Sequence, residues 1–178
     1  MAHINLKNDQ PGISGLMTDY PDTATHLRAL ANELLRANKS LTPAEREMIA
    51  AYVSSGNRCR FCMLSHAAVA KAHLGEQRAV MDDVLKDFEG AHVSEKMKAL
   101  LAIADKVRRD ARTVSGSDVE RARAAGADDR AIHDTVLIAA AFCMYNRYVD
   151  GLGTWSPEGS EAYQNMGEQL AKHAYGRA

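Results

Sequence analysis

The chain has 178 residues, enough to bury a core as one domain, and its 46% apolar and 25% charged composition excludes a disordered chain. A formal net charge of -1, with acids and bases interspersed, excludes the basic face that nucleic acid requires. No basic stretch leads into an apolar one within Met1–Gly15, and no apolar run approaches the roughly 20 residues needed to cross a bilayer, so no signal peptide, no membrane association and a cytoplasmic location are expected. Three cysteines, two of them close together, are the wrong count for a disulfide scaffold. In a reducing compartment such a pair points to redox chemistry or metal binding.

Val, Ile, Thr and aromatic residues never alternate with period two, whereas strong helix formers abound, so the fold class is all-α: a single compact multi-helix domain over 1–178. Residues 1–21, interrupted by prolines and glycines, read as an irregular arm. A helix over about 23–38 follows, with Leu27, Leu30, Leu34 and Leu35 on one stripe. Thr42-Pro43-Ala44-Glu45 is a capping box with proline at the first helical position, and Ser54-Ser55-Gly56-Asn57 is turn chemistry. The next helix spans about 58–73 and stops at Gly75, giving a helix hairpin over 42–74. Further helices are expected at about 76–88, 94–110, 117–125 and 129–149, with Ser94 and Ser117 as caps, and a last amphipathic helix at about 157–174.

Chemistry concentrates in Cys59-Arg60-Phe61-Cys62-Met63-Leu64-Ser65-His66. On a helix Cys62 lies about 60° and His66 about 20° from Cys59, so the three share a face. Cysteines three apart place their Cα atoms about 5–6 Å from each other, within disulfide reach. Unpaired N–H groups and the helix dipole favour a thiolate in the first turn. By itself that cue prefers Cys59, whereas His66, one turn after Cys62, can act as base to Cys62. Glu47 lies nine residues before Gly56 and His66 ten after it. In an antiparallel hairpin both stand about 14–15 Å from the turn, face to face, so that the carboxylate can orient the imidazole.

Glu47, eleven intervening residues, Cys59-x-x-Cys62 and three more to His66 resemble the signature of the alkylhydroperoxidase D-like proteins of the carboxymuconolactone decarboxylase superfamily. The segment Asn146-Arg147-Tyr148-Val149-Asp150-Gly151-Leu152-Gly153 resembles the peroxidase-related branch. The resemblance implies an alkylhydroperoxidase D-like helical fold and a thiol-dependent peroxidase acting on a hydroperoxide substrate. Cys62 would attack, Cys59 would resolve to a disulfide, and His66 with Glu47 would move protons. It also implies a homo-oligomer, trimer or hexamer, and a lipoylated or thioredoxin-like reductant protein, with no resident cofactor or metal. Founding members carry a further histidine where this chain has Phe61, which removes one member of their proton relay.

Alternatives stay open on the residues alone. Two Cys and one His on one face, with Glu47 as fourth ligand, could hold zinc, and a non-catalytic redox sensor or a protein-disulfide oxidoreductase would use the same pair. His73 reads as a helix-end residue and Cys143 as core. His133, Asp134 and Arg147 are candidates to line a pocket, and Tyr145, Tyr148 and Trp155 to shape an apolar mouth.

Overall fold

The computed structural model describes residues 2–175, so Met1 of the expected arm and the last three residues of the expected domain lie outside the described residues. Nine α-helices make up the described chain: α1 (Gly12–Asp19), α2 (Pro21–Arg36), α3 (Pro43–Gly56), α4 (Arg60–Leu74), α5 (Val80–Asp87), α6 (Glu95–Asp110), α7 (Gly116–Ala124), α8 (Asp129–Gly151) and α9 (Ser160–His173). No strand occurs among the described residues.

Local chemistry sets the helix starts. Thr42 accepts from the Glu45 N–H while the Glu45 carboxylate accepts from the Thr42 N–H, closing the capping box at the head of α3. Ser94 and Asp128 cap α6 and α8 by the same kind of bond. Three expectations need correction. The arm is not irregular throughout, because Ile13, Leu16 and Met17 give residues 12–19 an apolar face with helical spacing, and Leu16 is wholly buried. The cap of α7 is Ser115, not Ser117, since Asp118 completes a capping box three residues after Ser115. The fourth helix begins at Arg60 and not at 58, with Cys59 as its N-cap residue in extended backbone.

Helix α3 is buried almost all round and packs against α4, α8, α6, α2 and α5. Its apolar residues Met48, Ile49, Ala50, Ala51 and Val53 join Leu34, Leu35, Leu100, Leu101, Ile103, Ile138 and Phe142 in one core. Two charges sit inside that core on adjacent residues, Arg46 and Glu47, both with no exposed surface. Arg46 donates to Asp134 at 2.6 Å and to the carbonyls of Leu34 and Leu41, tying α3 to α8 and to the chain that leads out of α2. Asp134 is therefore a buried structural partner, not a pocket residue. Its carboxylate also accepts from Arg130 at 2.8 Å and from His133 at 3.0 Å.

Burial pushes the Asp134 carboxyl up, yet hydrogen bonds from His133, Arg46 and Arg130 outweigh it and hold the group at about 2 instead of 3.8. The stabilisation is complete above the unfolded value and is lost as pH falls from about 4 towards 2. Arg46→Ala leaves that carboxylate short of its buried partner and should cost about 3–5 kcal/mol in urea unfolding at pH 7. Asp134→Asn should flatten the stability-pH curve of the chain below pH 4; an unchanged slope would contradict the assignment.

Candidate active site

The hairpin turn between α3 and α4 is held from outside. Asn57 donates to the Asn146 side-chain carbonyl at 2.9 Å, and Asn146, itself buried, donates to Ser54 Oγ at 3.0 Å. The Asn146–Gly153 segment thus has a structural duty, since its first residue clamps the turn that delivers Cys59. Arg58 sits in left-handed backbone with φ 63°, a conformation that costs a non-glycine residue about 1–2 kcal/mol and reverses the chain into Cys59.

The two cysteines then fall into different settings. Cys59 precedes the helix and is wholly buried; Cys62 is the third helical residue, in the first turn where unpaired N–H groups and the dipole favour a thiolate. Hydrogen bonding to Cys62, then burial, push the Cys59 thiol up. Cys62 lines a cavity of about 180 Å³, and Cys59 is not among the residues that line it. Both are free thiols.

His66 also lines the cavity, one turn after Cys62. Its Nδ1 lies 2.7 Å from Glu47 Oε2, the contact that their matched offsets from Gly56 predict. The Glu47 carboxylate accepts a hydrogen bond from Nδ1–H, which leaves Nε2 as the nitrogen free to accept. Helical side chains lean toward the preceding turn, so the ring of His66 lies over the turn of Cys62. Phe142 meets the ring edge-on at 4.6 Å between centroids and restrains its orientation.

Glu47 is charged and buried, so its partners matter. Arg36 Nη1 lies 2.9 Å from Oε1 and neutralises it, and the Tyr175 hydroxyl donates to the same oxygen at 2.6 Å. Tyr175 also stacks on His66 with centroids 5.8 Å apart, and its hydroxyl lies 3.1 Å from Nδ1. Burial, then the Glu47 charge, hold that hydroxyl well above its ordinary value, so it remains a donor. Ala174, with φ 60°, turns the chain back after α9 to place Tyr175 here. Arg36 further donates to the Leu170 carbonyl on α9 and contacts His73 Nε2 at 3.1 Å, while its guanidinium lies 4.8 Å from the Tyr175 ring centre. Burial and Arg36 lower His73, which serves the end of α4 as an acceptor for that arginine.

Neither Arg36 nor Tyr175 is signalled by the sequence. One is a cation in the last turn of a helix, the other a lone aromatic after one. Much of the rest of the cavity wall is apolar, with Phe61 from α4, Phe142 from α8, and Met166 and Leu170 from α9, and Ser14, Arg28 and Ser65 also line it. Phe61 fills the place of the absent relay histidine and packs so tightly on Gly12 that a Cβ there would lie 2.2 Å from its ring. Gly167 brings α9 equally close to α4, since a Cβ at that position would meet the Ala68 backbone at 2.7 Å. Among the described residues, no three His, Cys, Asp or Glu side chains gather closely enough to hold a metal ion. Cys143 packs against the core, as does Tyr145, which also reaches the cavity, while Trp155 is exposed.

The fold is all-helical and of the alkylhydroperoxidase D-like type. A sequence profile of the carboxymuconolactone decarboxylase family matches residues 21–106, which include Glu47, Cys59, Cys62 and His66. An uncharacterised peroxidase-related protein from Ralstonia eutropha JMP134, described as an alkylhydroperoxidase AhpD core, superposes with a TM-score of 0.78 at 26% identity, over 89% of this chain and 81% of the other. A second uncharacterised peroxidase-related protein, from Silicibacter sp. TM1040, gives 0.77 at 25% identity over 86% and 78%. Comparison with curated proteins finds no match.

The unequal settings of the thiols make a direct prediction. In reduced protein at neutral pH, iodoacetamide should modify Cys62 at least about tenfold faster than Cys59, because the thiolate is the nucleophile and only Cys62 meets the cavity. Peptide mapping by mass spectrometry reads the order, and faster labelling of Cys59 would refute it.

Proposed function

We propose that the chain is a thiol-dependent peroxidase that reduces a hydroperoxide through Cys62, with Cys59 as the resolving thiol. The observation that carries this reading is the position of Cys62 in an apolar cavity, one turn before a histidine whose far nitrogen is tied to a buried carboxylate. The peroxidase-related structures it resembles support the same reading. His66 takes the Cys62 proton, and the thiolate attacks the terminal oxygen of R–O–OH. The S–O bond forms as the O–O bond breaks, leaving Cys62 as a sulfenic acid and the leaving alkoxide to receive the proton from His66. Cys59 then displaces hydroxide from that sulfur, forming the Cys59–Cys62 disulfide and, with its own proton, water. An external dithiol, on a lipoylated or thioredoxin-like protein, returns the pair to thiols by exchange. Glu47 positions His66 and offsets the positive charge it acquires.

Assembly of several copies belongs to the same proposal. Leu137, Ala140 and Met144 form an exposed apolar stripe along α8, with Leu137 39% and Met144 43% accessible, and a trimer or hexamer would cover it. No helix among the described residues is long and apolar enough to cross a membrane.

Cys62→Ser should abolish hydroperoxide consumption. Cys59→Ser should react once and leave a sulfenic acid on Cys62 that dimedone traps and mass spectrometry locates. Labelling of Cys59 in Cys62→Ser protein, with Cys59→Ser inert, would reverse the roles. His66→Ala should lower kcat/KM by about 10²–10⁴-fold with helicity retained by circular dichroism. Light scattering on the purified protein should give at least three times the monomer mass.

A further inference from the structure

The cavity wall carries more than the reacting thiol needs, and two of its polar groups have no partner. Arg28, half-buried on α2, lines the cavity and makes no hydrogen bond or ion pair among the described residues. No Asp or Glu lines the cavity beside it. Ser65, on α4 three residues after Cys62, also lines it; its hydroxyl is buried and has no hydrogen-bond partner among the described residues. A buried hydroxyl with no partner is unfavourable, and a half-buried guanidinium at the cavity with no counter-charge is free to receive an anion. Elsewhere the chain pairs its interior charges closely, Arg46 with Asp134 and Arg36 with Glu47.

We infer that the cavity takes a hydroperoxide borne on a small apolar body that also carries a carboxylate, with Arg28 receiving the carboxylate. The inference rests on the peroxidase reading for its reacting group. Size sets the body: a cavity of about 150 Å³ holds a benzene ring, and this one is about 180 Å³. Hydrogen peroxide would leave the apolar walls wet and Arg28 unused. A long acyl chain would not fit inside. Charge sets the anion. One guanidinium in an apolar wall balances one negative charge and matches a carboxylate through two parallel N–H···O bonds, whereas a phosphate dianion would leave net charge in a poorly solvated place. Orientation follows from the helices: the hydroperoxide lies at α4 beside Cys62, while the carboxylate lies toward α2 at Arg28. The thiol chemistry is unchanged; Arg28 selects the substrate.

The probes are cumene hydroperoxide and its para-carboxylate, with the unreactive pair isopropylbenzene and 4-isopropylbenzoate for binding alone. The full-length protein, supplied with dithiothreitol, should show a kcat/KM for the carboxylate at least tenfold above that for cumene hydroperoxide. Arg28→Gln should bring the ratio to about one, and Arg28→Lys, which keeps the charge but not the fork, to an intermediate value. Independently of turnover, 4-isopropylbenzoate should slow iodoacetamide labelling of Cys62 in the wild type, less so in Arg28→Gln and in high salt. Isopropylbenzene at the same concentration should protect far less. Absence of turnover with every hydroperoxide would refute the peroxidase reading, while carboxylate-selective protection that needs Arg28 would still sustain the anion site. Equal turnover and equal protection by charged and neutral probes, or a preference that survives Arg28→Gln, would overturn the inference. If Arg28→Gln fails to fold, the Arg28→Lys ratio and the salt dependence decide it, and no change in either counts against it.

Discussion

The Glu47 carboxylate, wholly buried on α3, is the charge around which the site is assembled. An isolated carboxylate would not stay ionised in that interior, so the fold surrounds it with Arg36 from α2, His66 from α4 and Tyr175 from beyond α9. Each partner depends on a different stretch of chain being in place. The requirement to satisfy one charge therefore fixes the relative placement of α2, α3, α4 and the chain end. It also leaves His66 with one nitrogen committed and the other available, which is the state a proton acceptor needs. The neighbouring Arg46–Asp134 pair does a separate task, tying α3 to α8. Adjacent residues on one buried helix thus divide into a structural bond and a chemical one.

Apolar packing determines who meets the cavity. Helix α9 approaches α4 closely because Gly167 has no Cβ to strike the Ala68 backbone, and α1 approaches because Gly12 makes room for the ring of Phe61. Both contacts press apolar surface around Cys62 and His66. A thiolate and a histidine in such a wall are poorly shielded by water, so charge-charge and hydrogen-bonding effects among Cys59, Cys62, His66 and Glu47 act at greater strength than they would on the surface. Phe61 belongs to this arrangement: it sets an aromatic ring in the cavity wall beside Cys62.

How much of this is legible in the sequence depends on the range of each interaction. The α3–α4 hairpin is legible because Thr42, Pro43, Glu45, Gly56 and Asn57 act on their own neighbours, and the Glu47–His66 contact follows from counting residues back from one turn. Arg36 and Tyr175 are not legible. Tyr175 is 128 residues from Glu47, and nothing local to either predicts that the chain returns there. Asp134 misleads for the same reason, since its partner Arg46 is 88 residues away. Residues 12–19 escape notice because prolines and glycines around them hide one short apolar face. Ser117 is preferred over Ser115 in the sequence because Glu120 offers a capping-box acid, while the acid that closes the box is Asp118.

A single backbone conformation sets how the two cysteines meet the start of α4. Were the helix to start at Arg58, Cys59 would be its second residue and Cys62 its fifth, beyond the turn whose N–H groups are unpaired. Arg58 instead takes φ 63°, and Cys59 falls before the helix in extended backbone. Cys62 thereby moves to the third helical position, still within the turn where N–H groups are unpaired, and keeps its spacing of one turn from His66. Cys59 is wholly buried ahead of the helix, and hydrogen bonding to Cys62 and burial push its thiol up. The strain of a left-handed arginine is about 1–2 kcal/mol, comparable with what the two bonds from Asn57 and Asn146 contribute in clamping the turn. Two chemically identical side chains three residues apart acquire different surroundings because the chain turns at Arg58 and not after it.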